Sequence, residues 1–189
     1  MGHTETVRRL LQSGADPNIV GGECGTALLA ASTKGYINIV RLLLDNGADV
    51  NLANVEARYN PLKWAMFEDK LETFKLLLEK GANVNSSAGA FGTVIVEASF
   101  HGKVEFVKLL LEHGADLNAN GEYGTALRAA RKAHYLDIPG KAVVVQMLLE
   151  HGAVDVGPDP QKMANMIKRM IERDEKLLEE WLIKKQPVN

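Results

Sequence analysis

An all-α solenoid is the fold class this sequence predicts, and two observations predict it. The first is that residues 25–51, GTALLAASTKGYINIVRLLLDNGADVN, return in their second half as RRLLQSGADPN, FKLLLEKGANVN, VKLLLEHGADLN and VQMLLEHGAVDV. Each copy is a leucine-rich run closed by Gly-Ala, the pattern of a short buried helix ended by a glycine that can take positive φ. The second is that these closing glycines, Gly14, Gly47, Gly81, Gly114 and Gly152, are spaced by 33, 34, 33 and 38 residues, a period that belongs to stacked helical repeats. A single unit cannot bury its own apolar face, so residues 1–156 are expected to form one stack of about four and a half helix-turn-helix repeats. A terminal amphipathic helix is expected over 157–189.

Aligning Gly14 with Gly47 places Gly2-His3 at the turn between paired helices, so the chain starts halfway through a repeat spanning 1–18. A second helix is expected at about Thr4 to Gln12 with no first helix before it. Arg9 stands where the other copies have Leu42, Leu76, Leu109 and Met147, which fits a helix open to water. The next repeat has helices near 26–33 and 37–45, with Thr26 placed to cap the first and Ile39, Val40, Leu43 and Leu44 forming the buried stripe. Its successor brings Asn60, Trp64, Phe67 and Phe74, and Pro61 at a first helical position where its missing N–H is harmless. Asp69 replaces the turn glycine there, which predicts a strained or rearranged turn. The stripe Val104, Phe106, Val107, Leu110 and Leu111 marks the following unit. In the last, about six extra residues at 134–139 separate the paired helices and are expected to project from the stack. After Gly157-Pro158, Asp159 and Pro160 start a helix of about 36 Å. Its stripe of Met163, Met166, Ile167, Met170, Ile171, Leu177, Leu178, Trp181 and Leu182 suits a cap over the end of the stack, with pairing to another chain through Trp181 as the alternative.

Composition narrows the functions. Apolar residues make up 46% of the chain and mean hydropathy is −0.10, ordinary for a soluble protein, and no run approaches the length of a membrane span. Cys24 stands alone and the start lacks a signal-peptide core, which sets the expectation of an intracellular, cytoplasmic protein. The myristoylation pattern at Gly2 and Thr6 is already explained by the repeat, and Asn85-Ser86-Ser87 would be glycosylated only outside the cytosol. A net charge of −2 gives no general attraction to nucleic acid. His113 and His151 sit beside closing glycines, where a histidine complements the negative helix end without any metal. No catalytic, phosphate-binding or metal-ligand spacing is present, so no enzymatic activity and no cofactor are expected.

The phased positions Thr26-Ala27-Leu28-Leu29, Asn60-Pro61-Leu62-Lys63, Thr93-Val94-Ile95-Val96 and Thr125-Ala126-Leu127-Arg128 resemble the T-P-L-H start of the ankyrin-repeat family over Gly2 to about Val156. Only Pro61 keeps the proline, and no copy keeps the histidine. The wording GGECGTAL and GEYGTAL is similar to repeats carried by large fungal NACHT-type receptors. The family resemblance implies a concave surface of loop tips and first helices that binds a protein or peptide. By position the tips are Glu23 and Cys24, Arg58 and Tyr59, Phe91, and Glu122 and Tyr123, and the first-helix ends are Lys34, Glu68 and His101. Tip aromatics beside an arginine have the composition of binding hot spots, the alternative being that Phe91 and Tyr123 pack their own loops. The chain is expected to be monomeric. A different reading makes it a structural remnant of a larger receptor-like signalling protein without a partner of its own.

Overall fold

The structure, a computed structural model, describes residues 3–21, 25–52, 60–86, 92–132 and 140–154. The tips Glu23, Cys24, Arg58, Tyr59 and Phe91, the insertion at 134–139 and the helix expected over 157–189 lie outside these residues. The chain divides into two compact units, Met1–Val154 and Asp155–Asn189, and the architecture below is that of the first.

Nine helices and no strand are found among the described residues: α1 Thr4–Gln12, α2 Ala27–Lys34, α3 Ile37–Asp45, α4 Pro61–Phe67, α5 Leu71–Glu79, α6 Val94–Phe100, α7 Val104–Glu112, α8 Ala126–Ala130 and α9 Lys141–Glu150. They pack in two rows. First helices α2, α4, α6 and α8 follow one another, second helices α1, α3, α5, α7 and α9 do the same, and each first helix rests on its own second helix. Local chemistry sets the helix starts. The Thr26 hydroxyl accepts the Leu29 N–H at 3.1 Å, and the Asn60 side chain accepts that of Lys63 at 2.8 Å directly before Pro61. Each answers one of the N–H groups a helix start leaves unpaired.

The stripe read from the sequence is the core. Val40, Leu43, Phe74, Leu77, Val107, Leu110, Val144 and Leu148 are all buried, and Phe74 meets Phe106 edge to face at 5.0 Å between centroids. Asp69 keeps the turn it was expected to disturb. Its φ of 55° makes it the one non-glycine residue with positive φ among those described, matching Gly35 at 71° and Gly102 at 66°. Short Asp side chains tolerate this left-handed conformation better than most, and the Asp69 carboxylate also receives the Lys103 ammonium of the next repeat.

A ladder of asparagines joins the repeats on the closing-glycine side. The Asp49 N–H donates to Asn18 Oδ1 at 2.7 Å, while Asn18 Nδ2 donates to the Gly47 carbonyl at 2.9 Å. One repeat on, Asn83 N–H donates to Asn51 Oδ1 at 2.7 Å and Asn51 Nδ2 to the Gly81 carbonyl at 3.3 Å; the Asp116 N–H then donates to Asn85 Oδ1 at 2.7 Å. Within each turn the side chain two residues earlier, Asp16, Asp49, Asn83 or Asp116, accepts the asparagine's own N–H and fixes its direction. The motif Gly-Ala-Asp/Asn-x-Asn is thus both a helix stop and an inter-repeat clamp.

Candidate protein-interaction surface

The expected first-helix ends fall where the repeat places them. Lys34 is the last residue of α2 and exposed, Glu68 follows α4 and is exposed, and His101 follows α6 and is half-buried. Burial holds the His101 imidazole below the ordinary histidine value, Lys103 and Lys141 push it the same way, and Glu97 and Asp69 oppose them. The residue before each end is Thr33, Phe67 or Phe100, and these differ sharply in exposure. Phe67 is 49% exposed and stands edge-on against Trp64, with centroids 5.4 Å apart. Phe100 is buried, because Tyr123 from the next loop stacks on it at 4.6 Å with planes 12° apart.

Of the tips, Glu122 and Tyr123 are described. Glu122 is exposed, and Tyr123 is partly buried against Val96, Phe100 and Ala129, so it packs across a repeat boundary onto α6 as well as onto α8 of its own repeat. The Lys132 ammonium lies 3.4 Å from the Tyr123 ring centroid and that of Lys141 lies 4.9 Å from Phe100, one cation toward each aromatic of the stack. Lys141 is buried, and burial together with Lys132 lowers its pKa. Glu122 and Tyr123 are thereby brought near the face of α6 and α8, whereas Lys34 and Glu68 lie on earlier repeats.

Beneath this surface is a feature that the sequence reading did not anticipate. Lys63 and Glu97 form an ion pair at 2.6 Å between α4 and α6, with side chains 3% and 4% exposed. Lys63 occupies the histidine position of the T-P-L-H start. The loss of that histidine was legible, but its replacement by an inter-repeat ion pair needed both helices in place. The exposure of Phe67 was missed for a similar reason, since in a list of apolar residues it looks like core.

At the helix ends, His113 Nδ1 donates to the Leu109 carbonyl and His151 Nδ1 to that of Met147, each at 2.8 Å, as Asn46 Nδ2 does to Leu42. These rings serve as C-terminal caps. No group of three His, Cys, Asp or Glu side chains able to hold a metal occurs among the described residues, and no helix there is long and apolar enough to cross a membrane.

Paired helices in phased rows, tied by an asparagine ladder and presenting a side-chain surface on the first helices, define a helical-repeat protein. The chain belongs to the ankyrin-repeat family: a model of three ankyrin repeats matches residues 1–88 and a model of a single ankyrin repeat matches 93–122, together more than half of the sequence. Comparison with curated proteins gives no match. Ankyrin repeats are in general protein-interaction modules and the family is typically non-enzymatic.

Proposed function

We propose that this chain is a non-enzymatic, monomeric module that binds a protein or peptide partner through its concave loop-tip and inner-helix surface. The observation that carries this reading is Phe67, a half-exposed aromatic propped on Trp64 beside the exposed carboxylate of Glu68. A large ring held in place by a second ring loses little freedom on binding, and such anchors next to charged groups dominate interface energies. Lys34 and His101 flank it at the spacing of one repeat, and Glu122 and Tyr123 extend the surface toward α8. Glu23, Arg58, Tyr59 and Phe91 complete the contact set by their place in the repeat. The module works in an intracellular setting.

Affinity capture with the purified chain, followed by identification of what binds at micromolar concentration, tests this. Phe67→Ala combined with Glu68→Ala is expected to abolish capture while the melting temperature stays within a few degrees, since exposed substitutions usually shift stability by about ±0.5 kcal/mol. Arg8→Ala on α1 serves as the control and is expected to leave capture intact. Capture that survives the double change would refute the assignment of this surface.

A further inference from the structure

Phe67 and Phe100 hold the same place in successive repeats, each the last residue of its first helix, yet their surroundings differ. Phe100 is buried: Tyr123 stacks on its ring, and the Lys141 ammonium lies 4.9 Å from its centroid. Lys141 directly follows the turn glycine Gly140, as Lys103 follows Gly102 one repeat earlier. The counterpart of Lys141 for Phe67 is therefore Lys103, and it goes elsewhere. Its ammonium pairs with the Asp69 carboxylate and lies 5.6 Å from the Phe106 centroid. Asp69 stands where the Phe100 repeat has Gly102, which offers Lys141 no carboxylate. One turn residue thus separates a ring that keeps a cation of its own chain from a ring that does not. Phe67 has none over it among the described residues, is 49% exposed, and has Trp64 as its ring partner. Next to it is Glu68, exposed and in no ion pair among the described residues.

We propose that Phe67 and Glu68 together receive an arginine of the partner protein, its guanidinium lying on the Phe67 ring as the Lys141 ammonium lies on Phe100, and its N–H groups donating to the Glu68 carboxylate. The inference rests on the interaction-surface reading above and adds the chemistry of the partner. An aromatic face attracts a cation, and a planar guanidinium can stack on a ring while its edge forms two parallel hydrogen bonds to a carboxylate. A lysine ammonium, a point charge, cannot do both. The flanking groups set the limits of the site. His101, held below the ordinary histidine value by burial, is uncharged near neutral pH and does not repel the arginine. Lys34, exposed at the equivalent helix end one repeat earlier, disfavours a second basic residue in that direction. The partner segment is therefore one arginine among uncharged or acidic residues, not a basic run.

The test is selection of peptides from a random display library against the full-length chain, followed by affinity measurement of the selected peptides and of forms with their arginine replaced by lysine or alanine. Selected peptides are expected to share one arginine, and the lysine form is expected to bind at least about fivefold more weakly. Phe67→Leu, which keeps apolar bulk without the ring, and Glu68→Gln are each expected to weaken the arginine peptides at least about fivefold. Both variants are expected to bind the alanine forms as the native chain does, which marks a direct contact with the arginine, and to keep the native melting temperature because both positions are exposed. Peptides that need Phe67 but carry no arginine, or whose arginine is indifferent to Glu68→Gln, would overturn this inference and leave the interaction surface standing. Failure to select any peptide that depends on Phe67 would overturn both. Basic runs that bind Phe67→Leu as well as the native chain would show attraction by charge alone and also overturn the inference.

Discussion

Lys63 and Glu97 illustrate how little a buried ion pair says about stability until one partner is removed. Each charge loses its water, and their mutual attraction at 2.6 Å returns what desolvation takes. Lys63→Met alone is expected to cost about 3–5 kcal/mol in chemical denaturation, because it strands the Glu97 carboxylate. The double change Lys63→Leu with Glu97→Ala copies Leu29 and Ala30 of the preceding repeat and is expected to be neutral or stabilising. His101 adds a pH dependence of known sign. Its imidazole is held below the usual value of 6.5 by burial, so the unfolded chain takes up a proton first as pH falls. The stability it contributes is full above 6.5 and is lost as pH drops from there toward the lower folded value. Denaturation midpoints measured from about pH 7 to about pH 5 are therefore expected to fall less for His101→Gln than for the native chain.

At the scale of elements, the turns carry the specificity of assembly. Gly140 has a φ of 87°, and a Cβ placed on it would come within 2.4 Å of the Gly102 carbonyl oxygen, a backbone atom that cannot swing aside. Gly140→Ala is expected to cost about 2 kcal/mol or more, read from thermal unfolding, because strain and close approach coincide. Asn51 makes two bonds to the following repeat, through Nδ2 to Gly81 and from the Asn83 N–H, so Asn51→Ala is expected to destabilise by roughly 1 kcal/mol. Asn118 occupies the same place but makes no such bond among the described residues, and the final copy, Gly-Ala-Val-Asp-Val, has no asparagine to carry the ladder on. Asn118→Ala is accordingly expected to cost less than Asn51→Ala in the same assay. Equal losses would show that the ladder reaches the last repeat.

Over the whole stack, one sequence position has different energies at different places. Leu10, Leu43, Leu77, Leu110 and Leu148 are equivalent, yet Leu10 is 55% exposed while the others are between 0 and 2%. The inner leucines have a first helix of their own repeat lying over them, whereas none is described over α1, which buries no residue. Leu77→Ala is expected to cost about 2–5 kcal/mol and Leu10→Ala about 0.5 kcal/mol or less, measured by denaturant unfolding. A large loss at Leu10 would mean that its face is covered in solution.

The sequence by itself determined the helical repeats, their phase and their limits: α1 spans the Thr4–Gln12 expected, Thr26 caps α2, and Pro61 opens α4. It could do so because caps, closing glycines and a 3.6-residue apolar stripe act over a few neighbours along the chain. It also located Lys34, Glu68, His101, Glu122 and Tyr123, since phase alone assigns a residue to a helix end or a loop. Tertiary structure decided what those positions face. Burial and pairing depend on residues about one repeat away, so only packing could seat Tyr123 on Phe100, join Lys63 to Glu97, leave Phe67 exposed and leave Arg128 half-buried.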